Sequence, residues 1–203
     1  MINLLIAEDQ AMLLTALASI LDLEEDIQVL HRSADGQDAL KFILSEQGHS
    51  IDIVLTDIEM PKLTGLELAQ KIQQEKPKIK TIILTTFSRA GYLRRAMDAS
   101  VKGYLLKDSP SSELLIAIRK IAKGGRVIAP ELMQDAWIEN DPLTDNERKA
   151  LRLAKDGATS EQIAEQLHLS SGTVRNYLSS ASSKLNAKNR IEAARIAHQN
   201  GWL

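Results

Sequence analysis

Three carboxylates, one hydroxyl and one amine follow apolar runs in the first half of the chain. Glu8 and Asp9 come just after INLLI (2–6), and Asp57 directly follows IDIVLT (51–56). Thr85, with Thr86 beside it, closes the run that begins at Thr81, and Lys107 follows VKGYLL (101–106). A carboxylate at the end of a buried strand is costly unless something compensates it. Three clustered carboxylates repel one another, so they bind a cation or their pKa values rise. Mg²⁺ suits such a cluster, because it takes hard oxygen ligands and keeps waters and phosphate oxygens in its shell. A carboxylate is also a phosphoryl nucleophile, giving an acyl phosphate. In that chemistry Lys107 pairs with one transferring oxygen, the cation with others, and Thr85 donates a hydrogen bond to a third. Taken singly, Glu8 or Asp9 is a helix cap, Thr85 a β-former and Lys107 a solvated lysine. Asp57 resists that reading, since it ends an almost wholly apolar strand just before Pro61 and Gly65.

These residues meet only if the strands that carry them lie side by side. The apolar runs at 2–6, 27–31, 51–56, 81–85 and 101–106 alternate with helical stripes. The stripes are Met12, Leu13, Leu17, Ile20, Leu21; Ala39, Leu40, Ile43, Leu44; Leu66, Leu68, Ala69, Ile72; the segment AGYLRRAMDA; and Leu114, Leu115, Ile118, Ile121. Five strand–helix repeats predict an α/β fold with a five-stranded, doubly wound parallel sheet. Function in such sheets gathers beyond the carboxyl ends of the strands, where all five chemical groups fall. The stripe Leu114, Ile118, Ile121 and the residues Leu13, Leu14, Leu17 are apolar enough to serve either a core or an interface.

The pattern changes after residue 124. GGRVIAPELMQDAWIENDPLT (124–144) reads as a linker, with a short helix after Pro130 across 130–137. The segment 130–142 carries four acids and no base, whereas residues 1–129 are balanced at 16 Lys+Arg against 17 Asp+Glu. Residues 143–203 hold nine Lys+Arg against six Asp+Glu, an excess that permits a nucleic-acid partner without demanding one. Four helices follow. Thr144 with Glu147 forms a capping box, Gly157 stops the first helix, and Thr159 or Ser160 caps the second. The boundaries expected are 1–124, a linker at 125–142, and an all-α domain at 143–203.

Other chemistries find no support in the sequence. Cysteine is absent, which excludes disulfides, thiolate metal sites and thiol catalysis and fits a reducing cytoplasm. The start MINLLIAEDQ lacks the basic leader of a signal peptide. No apolar run is long enough to cross a membrane. The four histidines are scattered, with no paired metal-ligand spacing.

The segment TSEQIAEQLHLSSGTVRNYLSSASSKL has helix-turn-helix organisation. Ile163, Ala164 and Leu167 face inward from its first helix, Leu169 packs the turn, and Val174, Leu178, Ala181 and Leu185 anchor the second. Ser170, Ser171 and Thr173 suit the N-terminal cap, an end whose free amides can meet a backbone phosphate. Arg175, Asn176 and Ser179 lie away from the packing face, with guanine and adenine edges as natural targets for Arg175 and Asn176. Thr173, Lys184, Lys188 and Arg190 suit phosphate contacts, which position rather than specify. The residues alone leave open a helical docking module whose polar face is merely solvated.

Residues 1–124 resemble the receiver domain of response regulators through Glu8-Asp9, DIEMP-KLTG around Asp57, Thr85, and GYLLKD with Lys107. The resemblance implies Asp57 as phosphoacceptor, and Glu8, Asp9, Asp57 and the backbone carbonyl of Glu59 as Mg²⁺ ligands. It further implies Thr85 and Tyr104 as a switch pair and Lys107 as the phosphoryl partner. Ser100 stands where the family often has glycine. Residues 140–203 resemble the LuxR/NarL helix-turn-helix pattern, with Glu147, Gly157, Glu161, Ile163-Ala164, Leu167, Ser170, Thr173-Val174, Lys184-Leu185 and Asn189-Arg190 in place. That implies a recognition helix at 171–185, with Thr173, Arg175, Asn176, Ser179, Lys184, Lys188 and Arg190 at the DNA. Tyr177 departs from the usual histidine, and SSASS (179–183) is less basic than many members. IAEDQAML, LTTFSRAGY and SPSSEL resemble regulators of membrane-lipid desaturation of the DesR kind. The function implied is a phosphorylation-activated transcription regulator, with a sensor histidine kinase, promoter DNA and a phosphorylation-promoted homodimer as partners. Two alternatives are an aspartyl-nucleophile hydrolase, which leaves residues 143–203 unused, and a receiver acting only through protein contacts.

Overall fold

Apolar runs buried on both faces and flanked by helical stripes build a parallel sheet, and the computed structural model describes residues 1–86, 90–133 and 141–203. The strands are β1 (Ile2–Ala7), β2 (Ile27–Ser33), β3 (Ile53–Asp57), β4 (Lys80–Thr85), β5 (Gly103–Leu106) and β6 (Val127–Ile128). Between them run α1 (Ala11–Leu21), α2 (Gly36–Leu44), α3 (Gly65–Glu75), α4 (Ala90–Asp98) and α5 (Ser111–Ala122). The sheet order is β2-β1-β3-β4-β5-β6 with every pair parallel. The expected five strands become six among the described residues. Val127 and Ile128 pair with Gly103 and Tyr104 at the edge, a strand too short to show a hydrophobic period.

Crossovers run to one side from β1 to β2 and to the other side from β3 onward, so the winding reverses between β1 and β3. A crevice opens at such a reversal, beyond the carboxyl ends of the strands. Register fixes which residues reach it, because Ala7 pairs with Thr56, Asp57 with Leu84, and Thr85 with Leu106. Two apolar layers hold the sheet. Leu4, Ile6, Leu55 and Ile82 meet α1 and α5 on one face, while Leu5, Val54 and their neighbours meet α2 and α3 on the other.

Leu114, Ile118 and Ile121 are core residues. Along α1, Leu21 is buried and Leu17 packs against the core as expected, whereas Met12 is 86% and Ile20 38% exposed and Ala18 joins the buried residues. Ser100, at the glycine-favouring position, has φ +57° at the turn into β5.

The described residues divide into this α/β unit and a helical unit. A short helix α6 (Pro130–Met133) lies where one was expected from Pro130; the rest of that expected helix, 134–137, falls outside the described residues. The helical unit is α7 (Asp145–Lys155), α8 (Ser160–Leu167), α9 (Ser171–Lys184) and α10 (Arg190–Gln199). Capping boxes start α7 at Thr144 and α8 at Thr159, and Ser170 caps α9. Gly157 follows α7 with φ +87°, where a side chain would be strained. Leu151, Ile163, Val174, Leu178, Ala181 and Ala193 bring all four helices into one core.

Candidate functional site

Asp57 is the last residue of β3, Glu8 follows β1 and Lys107 follows β5, so three strand ends deliver one buried cluster. The Lys107 ammonium lies 2.7 Å from Glu8 and 3.0 Å from Asp57. Asp57 Oδ1 also accepts the Ile58 amide at 2.7 Å, and Glu8 Oε1 the Gln10 amide at 3.2 Å. Asp9 is exposed beside them, and one carboxylate oxygen from each of Glu8, Asp9 and Asp57 falls within 4.8 Å of the others. Three hard oxygens at that spacing fit a divalent cation.

Electrostatics in the cluster are conflicted. Burial pushes the Asp57 carboxyl above its ordinary value, against hydrogen bonding and attraction from Lys107. Burial likewise raises the Glu8 carboxyl; Lys107 opposes the rise, and the Asp57 charge adds to it. For Lys107, burial favours the neutral amine, but its bonds to Glu8 and Asp57 outweigh burial and hold it protonated. One ammonium therefore serves two acids that have lost much of their water.

The loop after β3 is tightly folded. The Gly65 amide reaches back to the Ile58 carbonyl at 2.9 Å, and a Cβ on Gly65 would overlap the Asp57 carbonyl. Glycine is required there by close approach of backbone, and Thr64 with Glu67 then starts α3. Glu59 is exposed in this loop, two residues beyond Asp57. Thr85 is buried at the end of β4, and its carbonyl accepts the Lys107 amide at 2.8 Å. Tyr104 on β5 is fully buried, and its register opposite Ile83 puts it on the same sheet face as Thr85.

On α9, Val174, Leu178 and Ala181 are buried, whereas Arg175, Asn176 and Ser179 are exposed. The Thr173 amide donates to Ser170 Oγ at 3.0 Å, and the two hydroxyls lie 2.8 Å apart. Lys188 is exposed, and Arg190 opens α10. The Glu161 carboxyl is held low mainly by a backbone hydrogen bond and one from Thr159, with the charges of Arg175 and Arg190 adding to the effect. Those two guanidiniums thus lie within electrostatic reach of the start of α8.

Lys184 has a partner within the helical unit that its sequence position did not predict. Its ammonium is 2.7 Å from Glu147, a carboxylate only 3% exposed. Sequence reasoning saw Glu147 as part of a capping box and missed this partnership. The available signal was the four-residue spacing of Ser180 and Lys184, which aligns both on one flank of α9.

The model of the response regulator receiver domain matches residues 4–119, and that of bacterial regulatory proteins of the luxR family matches residues 141–197. The transcriptional regulatory protein DesR of Bacillus subtilis (strain 168) is 52% identical over 202 residues, covering 100% of this chain and 99% of that protein. Among solved structures, the response regulator ChrA of a heme-sensing two-component system is 32% identical with a TM-score of 0.57, covering 100% of this chain and 98% of that one. RcsB of Salmonella enterica serovar Typhimurium, solved on the promoter rprA with the phosphomimetic BeF3-, shares the fold at TM-score 0.73 and 24% identity, covering 98% of this chain and 99% of that one.

Proposed function

Since the chain belongs to the response regulators with a luxR-type helix-turn-helix region, we propose that it controls transcription through phosphorylation of Asp57. The observation that supports this most is the shared ammonium: Lys107 bridges the buried Glu8 and Asp57 carboxylates at the crevice of a doubly wound sheet. An Asp57 carboxylate oxygen attacks phosphorus, and the bond from phosphorus to the imidazole nitrogen of a sensor histidine kinase breaks. The electron pair stays on that imidazole, and the product is an acyl phosphate on Asp57. Lys107 faces the added charge, and the Thr85 hydroxyl donates to a phosphoryl oxygen. Glu8, Asp9, Asp57 and the Glu59 carbonyl would hold Mg²⁺, which offsets charge on the transferring oxygens when bound.

Movement of Thr85 toward the phosphoryl group opens space for Tyr104 to turn, which changes the adjacent surface and promotes a homodimer. Two helical domains, 143–203 in each copy beyond a linker at 125–142, then engage two half-sites of promoter DNA. The second attachment is effectively intramolecular, so phosphorylation raises affinity without a new base contact. Arg175, Asn176 and Ser179 read base edges, while Thr173, Lys188 and Arg190 meet phosphates. Lys184, bonded to Glu147 at 2.7 Å, is a further phosphate contact. The protein acts in the cytoplasm, where its DNA is, and no helix among the described residues is long and apolar enough to cross a membrane. It turns over no metabolite beyond slow loss of its own phosphoryl group.

Genome-wide DNA occupancy of wild type and Asp57→Ala tests this reading. Promoter peaks that depend on Asp57 are expected; identical occupancy in both would refute control by phosphorylation.

A further inference from the structure

Glu147 is a buried carboxylate whose bonds exceed what a helix cap needs. One oxygen accepts the Thr144 amide at 2.7 Å, closing the capping box of α7. The same oxygen takes the Lys184 ammonium at 2.7 Å, and the other takes the Ser180 hydroxyl at 2.6 Å. One residue earlier, Asn146 Nδ2 donates to the Tyr177 hydroxyl at 3.2 Å. The first turn of α7 therefore grips Tyr177, Ser180 and Lys184, all on α9.

At about 100° per residue, these three fall on one flank of the Val174–Leu178–Ala181 stripe, and Arg175 and Ser179 fall on the other. Packing along the stripe is apolar and non-directional, so by itself it tolerates a roll of α9 about its axis. Hydrogen bonds lose strength steeply with angle, so those to Glu147 do not tolerate one. We propose that Glu147 is a positioning residue for DNA recognition: it fixes the rotation of α9, and so which side chains of that helix face the bases. This rests on the DNA-reading assignment of Arg175, Asn176 and Ser179. Charge supports it, because burial of the Glu147 carboxyl is outweighed by its bonds to Lys184, Ser180 and Thr144, and its pKa is lowered to about 2. The carboxylate is thus charged near neutral pH, as its bond to Lys184 requires. Tyr177, at the position that departs from the family's histidine, becomes part of the same clamp.

Full-length wild type, Glu147→Gln and Lys184→Met are compared in two measurements. Gln keeps the capping box but lacks the charge that holds Lys184. Without DNA, residue-resolved amide exchange in α9 is expected to quicken about tenfold in both variants, as the loss of a charge-assisted bond predicts, with α8 and α10 unchanged. With a site selected from random DNA and its single-base variants, the preference for the selected site is expected to fall about tenfold. Affinity for unrelated DNA is expected to hold in Glu147→Gln. Unchanged exchange in α9, or exchange quickened equally in every helix of the unit, overturns the proposal, since the second result is general destabilisation. Intact discrimination by a loosened α9 overturns it as well. Should wild type prefer no sequence, the reading-face assignment fails, while exchange in α9 still decides whether Glu147 holds that helix.

Discussion

Each unit of the molecule buries a carboxylate against a lysine, and the two sites are built to opposite ends. In the helical unit one carboxylate, Glu147, receives an ammonium, a hydroxyl and a backbone amide, and its pKa falls to about 2. In the α/β unit two buried carboxylates divide one ammonium, and burial leaves both with raised pKa values. The buried charge of Glu147 is satisfied by the protein itself. That of Glu8 and Asp57 is left short of positive charge, a shortage that a divalent cation would relieve. Burial of an acid beside a lysine therefore does not identify a reactive site; the balance of donors to acids does.

The largest expected effect breaks the comparison if it fails. Incubation with a small phosphodonor and Mg²⁺ should add one phosphoryl group, seen by intact mass, in wild type and in Glu147→Gln. Asp57→Ala should take up none, and Asp9→Ala or chelation of the metal should strongly reduce uptake. Full labelling of Asp57→Ala would move the nucleophile elsewhere.

Next in size is a difference of sign with pH. Glu147 has a folded pKa of about 2 against an ordinary 4.5, so its contribution is present above 4.5 and lost as pH falls toward 2. The difference corresponds to at most about 3 kcal/mol. Acid should therefore loosen the helical unit in that window, and Glu147→Gln should flatten the dependence. Asp57 and Glu8 are raised instead, so their contribution is complete below the ordinary carboxylate range and declines as pH rises through their folded values. Asp57→Asn should consequently stabilise the α/β unit at neutral pH in metal-free buffer. Residue-resolved amide exchange across a pH series, followed separately in β3 and α7, measures both. A shared sign in the two units would dissolve the distinction drawn between them.

The two sites also differ in how legible they were. Asp57, Glu8 and Lys107 could be read from sequence because a doubly wound sheet brings strand ends together, and each residue follows a recognisable apolar run. The sheet's geometry converts a one-dimensional position into a three-dimensional one. Glu147 showed only its local half. The capping box spans three residues and is visible in sequence, but the bonds to Ser180 and Lys184 bridge 33 and 37 residues. They depend on how α7 and α9 pack, for which helical periodicity supplies a face but no partner. For the same reason the sequence offers Lys184 as a phosphate contact and shows nothing of its bond to Glu147. β6 escaped because two residues hold no period, and Met12 and Ile20 were assigned to the α1 stripe because they are apolar, yet both are exposed.

The smallest expected stability effect concerns one hydroxyl from each unit, Ser180 and Thr85. Ser180 Oγ is spent on Glu147 at 2.6 Å, so Ser180→Ala should cost roughly 1.5–3 kcal/mol, the range for a hydrogen bond to a charged group. It should leave phosphoryl uptake and phosphorylation-driven dimerisation untouched. Thr85, buried at the end of β4, has the converse expectation. Its proposed hydroxyl bond forms only with the phosphorylated state, so Thr85→Ala should still accept phosphate on Asp57 yet lose most dimerisation in sedimentation. Tyr104→Ala should share that loss, because the ring is the proposed follower of Thr85. Were both variants to dimerise normally on phosphorylation, the switch would run through other residues. The acidic cluster would then keep its chemistry but lose its proposed route to the surface. If Ser180 serves stability alone and Thr85 serves the phosphorylated state, these paired substitutions separate the two roles.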